Sequence, residues 1–166
     1  MSNLTLFPLP PVTDPKPRPI ADISVYKIVS EKIIKQLNQY SSEDYDDVSV
    51  EELAEVLNRS YDLDGYKLAK KLEDKYKWEP DTSVVEKLDS ANNLVSIELD
   101  RLIKEWVITN EIKPKYKEGD VVIIHVRNED RFGSIVEIRN DATYGVKEEG
   151  QKGHWIVKFE DVKKIK

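Results

Sequence analysis

Seven carboxylates fall within thirteen residues of this chain, at Glu43, Asp44, Asp46, Asp47, Glu51, Glu52 and Glu55. Duplex DNA presents one negative charge per roughly 1.7 Å of axis, so such a cluster could imitate phosphates and dock into a basic groove on a nucleic-acid-handling enzyme. Its plainer use is a solvated loop running into a helix start, where acids suit the positive end of the helix dipole. A second constellation lies in the last third of the chain. Arg127, Arg131, Arg139, Lys147, Lys152 and Lys158 surround Tyr144 and Trp155, the mixture of cation and aromatic that grips single strands or RNA loops. Trp155 also alternates with core-type positions, and Glu129, Asp130, Glu137, Glu148 and Glu149 dilute the charge.

Other chemistry tests fail on their spacing. Ser60, Asp62, Asp64 and Gly65 occupy positions 1, 3, 5 and 6 of a calcium loop, but position 12 is Lys71 where a bidentate glutamate is required. Capping of the next helix by Asp62 or Asp64 is the better use of these acids. The lysines at 67, 70, 71, 75 and 77 would suit the second helix of a helix-turn-helix, yet the acidity around them opposes duplex binding. His125 and His154 would need a further ligand such as Glu137 to hold a metal. No nucleophile elbow, phosphate-cradling loop or nucleotide fingerprint is present. The expectation is a protein without catalysis, cofactor or metal.

Charge divides the chain into three. Residues 1–22 balance two bases against two acids, residues 23–112 carry 12 − 20 = −8, and residues 113–166 carry 12 − 10 = +2, which together give the net −6. Cysteine is absent, which fits a reducing compartment and makes the cytoplasm the expected location. No apolar run approaches the roughly 20 residues that span a bilayer, so no membrane partner is expected. Prolines at 8, 10, 11, 15, 17 and 19 predict an extended arm over residues 1–22, with a PxxP spacing at Pro8 and Pro11.

Helical periodicity begins near Ser24 and predicts a first helix ending near Tyr40. Ser49 and Glu52 form a capping box for a second helix, and Tyr66, Leu68, Ala69, Leu72 and Tyr76 mark a third. A second capping box, Ser83 with Glu86, predicts one long fourth helix of about 25 residues reaching Ile108. Lys113-Pro114-Lys115 then ends helical structure.

Beyond it, strands are expected over residues 120–127, 132–139, 143–149, 154–159 and 162–165, with turns at Asn128-Glu129-Asp130, Asn140-Asp141 and 150–153. Three stretches carry a family likeness: Lys117-Glu118-Gly119-Asp120-Val121-Val122, Phe132-Gly133-Ser134-Ile135-Val136-Glu137-Ile138, and Trp155-Ile156-Val157-Lys158-Phe159-Glu160-Asp161-Val162. They resemble the opening, second and fourth strands of SH3-like barrels of the KOW and Tudor type, over about 50 residues. The resemblance implies a five-stranded barrel that binds RNA, DNA, methylated tails or proteins, or is purely structural.

The fold expected is therefore α+β: an arm at 1–22, an acidic four-helix body at 23–112, and a C-terminal SH3-like barrel at 113–166. The expected function is non-catalytic binding of a larger protein or protein complex, in the style of small phage or mobile-element inhibitors of host enzymes. It would act through the acidic helix face and the barrel. Nucleic-acid binding through the barrel is the competing expectation.

Overall fold

The computed structural model describes residues 16–40, 49–60 and 62–165. The expectations placed on Met1–Pro15 of the arm, with its PxxP spacing, and on Glu43, Asp44, Asp46 and Asp47 lie outside the described residues. Within them the chain is α+β, with five helices followed by a curled antiparallel sheet of five strands.

Helices α1 (Ile23–Tyr40), α2 (Val50–Arg59), α3 (Gly65–Tyr76), α4 (Thr82–Asp89) and α5 (Ala91–Thr109) form the first unit. Four of them start on a side-chain cap, α1 on Asp22, which accepts from the Ser24 and Val25 amides. Ser49 accepts from the Glu52 amide, Asp64 from that of Lys67 and Asp81 from that of Val84, each satisfying one otherwise unpaired helix donor. Asp81 thus holds the role expected of Ser83, whose hydroxyl instead donates to the Asp81 carboxylate. The single long fourth helix is also corrected. At Ser90 the amide reaches the carbonyls of Leu88 and Lys87, closing α4 with short-range bonds, and its hydroxyl takes the Lys87 carbonyl as well. The helix restarts at Ala91, and Leu88 and Ala91 both enter the core.

Five faces converge on that core. Val29, Ile33 and Leu37 of α1 meet Leu53, Val56 and Leu57 of α2, Leu68 and Leu72 of α3, Val84 and Leu88 of α4, and Ala91. Gly65 is required where α3 meets α4. A Cβ there would lie 2.3 Å from the Val85 carbonyl oxygen and 2.6 Å from the Asp89 amide nitrogen.

The sheet consists of β1 (Val121–Val126), β2 (Glu129–Ile138), β3 (Thr143–Lys147), β4 (Trp155–Lys158) and β5 (Val162–Lys164), in the order β4-β3-β2-β1-β5. Only a 3₁₀ turn, Phe159–Asp161, separates β4 from β5, so the chain crosses from one edge of the sheet to the other in three residues. That short crossing obliges the sheet to curl. Val126 pairs with Glu129, which leaves a two-residue hairpin loop, Arg127-Asn128, both at positive φ. This geometry matches the twist of the strands, and it moves the turn one residue earlier than its polar composition suggests. The register of β2 against β3 shifts between Ile135 and Glu137, bending β2 around the core.

Side chains alternate across the sheet. Val122, Ile124, Ile135, Tyr144, Val146, Val157 and Val162 face inward and form a second core with Tyr116. This core shares no residue with the helical one.

Candidate interaction surface

The outward positions of β1 and β2 are also apolar. Val121, Phe132 and Val136 are 52%, 59% and 43% exposed. Val121 pairs with Ser134, so it lies diagonally between Phe132 and Val136 on the convex face. The three line a shallow depression of about 430 Å³ with Ser134, Lys147, Glu148, Glu149 and Gly150. Gly133 allows the strands to approach here, since a Cβ would meet the Lys147 carbonyl oxygen at 2.8 Å. Ile156, half exposed, shows on the convex side of β4. A strand whose two faces are both apolar has no solvent-facing polar set, which is the pattern of a sheet that expects cover. The signal is readable in the sequence: Val121-Val122-Ile123-Ile124 is unbroken where a half-solvated strand alternates.

The expected barrel residues separate into several places. Arg127 and Arg131 lie over the Trp155 ring, their guanidinium carbons 5.3 Å and 5.8 Å from its centroid. Arg131 also pairs with Glu129 at 2.9 Å and Glu148 at 3.2 Å, and the Trp155 indole donates to Glu148. Arg127, Arg131 and Trp155, with Gln151, Gly153 and His154, edge a hollow of about 300 Å³, and Lys152 stands in the same loop. The aromatic surface is therefore already covered by the chain's own arginines. Lys147 belongs to the convex depression, Lys158 is exposed on β4 opposite Thr143, and Arg139 sits near Glu137 and Asp141 at 3.7 Å from each.

Tyr144 is not a surface residue, and its place in the expected binding face is corrected. It is fully buried, its ring packs on Phe159 and Tyr116, and its hydroxyl accepts the Tyr116 amide at 2.9 Å. Strand alternation assigns it inward because its partner Val157 faces inward.

The described part of the acidic cluster is engaged within the chain. Glu51 pairs with Lys27 at 3.3 Å, and Glu52 accepts the Trp78 indole at 2.9 Å. Glu55 accepts from the Tyr76 hydroxyl and pairs with Arg59 and Lys75, each at 3.0 Å. The Tyr76 and Lys75 hydrogen bonds hold the Glu55 carboxyl below its ordinary range, and its own backbone amide followed by Lys27 does the same for Glu51.

The calcium-like link is closed from inside. The Lys71 ammonium donates to the buried Ser60 hydroxyl at 2.8 Å, so a cation joins the two ends of the would-be loop. Asp64 caps α3. His125 pairs with Asp130 at 2.9 Å while His154 faces Glu137 at 3.6 Å, and among the described residues no group of three or more acidic or histidine side chains is arranged to hold a metal. No described helix is long and apolar enough to cross a membrane. Comparison with protein-family models, curated proteins and solved structures gives no match.

Proposed function

We propose that this chain is a non-catalytic binding protein whose partner is another, larger protein, seated on the convex face of the sheet. The observation that supports this is the exposed apolar triad Val121, Phe132 and Val136 around one depression. Burial of an aromatic anchor in a partner pocket supplies the largest single share of binding energy at protein interfaces. The strand order β4-β3-β2-β1-β5 supports reading the curled sheet as an SH3-like barrel. The dense carboxylates from Glu43 to Asp47 would add electrostatic steering toward a basic partner surface.

A photo-crosslinking residue at position 132, expressed in the chain's own cell, should capture one protein that the same residue at exposed Glu86 does not. Phe132→Ser combined with Val136→Ser should weaken binding to that protein by about 30-fold or more, the effect of losing roughly 2 kcal/mol, with an unchanged circular dichroism spectrum. The nucleic-acid reading would win on a different pattern. It requires micromolar binding of a single-stranded oligonucleotide at physiological salt that is lost with Arg127→Ala and kept in the Phe132/Val136 variant.

A further inference from the structure

Segment 16–22 lies without regular structure between the two units, and one of its side chains is nearly hidden. Arg18 retains only 10% of its side-chain exposure. Its Nη1 donates to the Ala142 carbonyl at 3.1 Å and its Nη2 to the Asp141 carbonyl at 2.5 Å. Glu160 of the 3₁₀ turn lies 3.5 Å away, and the guanidinium stands 5.7 Å from the ring centre of Trp106 in α5. Trp106 in turn donates its indole N–H to the Lys16 carbonyl at 2.6 Å, and the Lys16 amide reaches the Asn110 side-chain oxygen at 3.4 Å. One short stretch of backbone is thus fastened to the end of α5, while its arginine is fastened to the β2–β3 turn.

That turn has acceptors only a fork of donors can meet together. Ala142 is buried at φ 55°, an unfavourable region for a residue with a Cβ, and its carbonyl also accepts the Phe159 amide. The adjacent Asp141 carbonyl points to the same guanidinium. Arginine supplies two parallel N–H groups in a rigid plane and stacks on an indole with its face, whereas lysine has a point charge.

The two cores are otherwise separate, and among the described elements no helix packs extensively on a strand. The linker from Asn110 to Tyr116, whose Lys113, Pro114 and Lys115 are exposed, also joins the units. A covalent linker limits separation but does not set an angle. We infer that Arg18 is a clasp that fixes the orientation of the sheet relative to the helices, and that its release frees the two folded units to reorient. This goes beyond the proposed binding face, because it concerns how that face is presented and not what covers it.

The full chain contains no cysteine, so Glu86→Cys and Lys152→Cys provide a unique pair of exposed labelling sites, one on each unit. Single-molecule energy transfer between them should give one narrow distribution when Arg18 is present. Arg18→Ala should broaden or shift it while both units stay folded by circular dichroism and tryptophan emission, and Arg18→Lys should recover it only in part. An Arg18→Ala distribution that coincides with the parent overturns the inference. Should Arg18→Ala unfold the sheet, Trp106→Phe decides, since it removes the donor to Lys16 and the indole face under the guanidinium, both on the helical side, and leaves the bonds of Arg18 to the sheet turn in place. With the sheet intact, a broadened distribution sustains the clasp and an unchanged one overturns it.

Discussion

Many charged side chains of the helical unit pair with one another, whereas the sheet combines paired arginines and histidines with lysines that face water. Lys27 meets Glu51, Lys75 and Arg59 meet Glu55, Lys67 meets Asp64, Lys70 meets Glu73, and Lys32 and Arg101 meet Glu98. On the sheet, Lys147, Lys152, Lys158, Lys163 and Lys164 have no ion pair among the described residues, although the region's net charge is far smaller. Net charge and available charge are therefore different quantities. Ion pairing engages several described carboxylates of the helical unit, while the uncovered depression on the sheet is bordered by one unpaired lysine, Lys147, beside Glu148 and Glu149.

If the cores are as separate as their residues indicate, damage to one should stay there. Leu53→Ala removes a fully buried side chain at the meeting of α1 and α2 and should destabilise the helical unit by about 2–5 kcal/mol. Its melting should fall while Trp155 emission and the amide protection of Val122 and Ile124 persist to the parent temperature. Simultaneous loss of both signals would show one cooperative body and break the contrast.

Much of the helical unit was legible because helix signals are local. The three- and four-residue periodicity of α1 and α3, and the Ser49 and Asp64 caps, each involve residues within one or two turns. The break at Ser90 was not, because Leu88 and Ala91 are both acceptable within a continuous helix and nothing in the local sequence marks the short-range bonds that Ser90 makes to Lys87 and Leu88. Strand locations could be read within a few residues, but not which face of each was covered. Tyr144 and Trp155 look equally suited to a binding surface in sequence, yet one is core and the other lies under two arginines. Pairing register decides that, and register depends on residues far apart in the chain. Arg18 was invisible for the same reason: its partners are more than 120 residues away.

The corresponding change in the sheet should be smaller. Tyr144→Phe keeps the ring against Phe159 but leaves the buried Tyr116 amide without its acceptor, a loss of about 1–3 kcal/mol. The sheet should melt earlier and the helical unit should not. An unchanged sheet transition would mean that water or another carbonyl replaces the hydroxyl, and the convex face would then rest on a softer frame than the contacts indicate.

The smallest effect is expected from the ion pairs of Glu98, a buried acid in the helical unit. Glu98 is 1% exposed, accepting from Arg101 at 2.7 Å and 3.0 Å on one oxygen and from Lys32 on the other. The Arg101 hydrogen bonds above all, joined by Lys32, hold its carboxyl below the ordinary glutamate value of 4.5 against the opposing push of burial. A carboxyl depressed in the folded state adds stability that is fully present above its unfolded value and is lost as pH falls through the lower, folded value. Both cations are about half exposed, so they regain water when the acid is neutralised, and the cost stays well below that of stranding a buried charge. Glu98→Gln should therefore lower stability near pH 7 by about 1–2 kcal/mol. The gap should begin to narrow below the unfolded glutamate value of about 4.5 and close as pH falls through the lower folded value, where the parent loses its contribution as well. Asp22, Glu51, Glu55 and Asp64 are depressed too, but they titrate alike in both proteins, so the difference between the two melting curves isolates Glu98. Curves that stay parallel from pH 7 to pH 3 would mean that the charge of Glu98 contributes nothing measurable to stability, since glutamine keeps the side-chain volume and only the charge titrates.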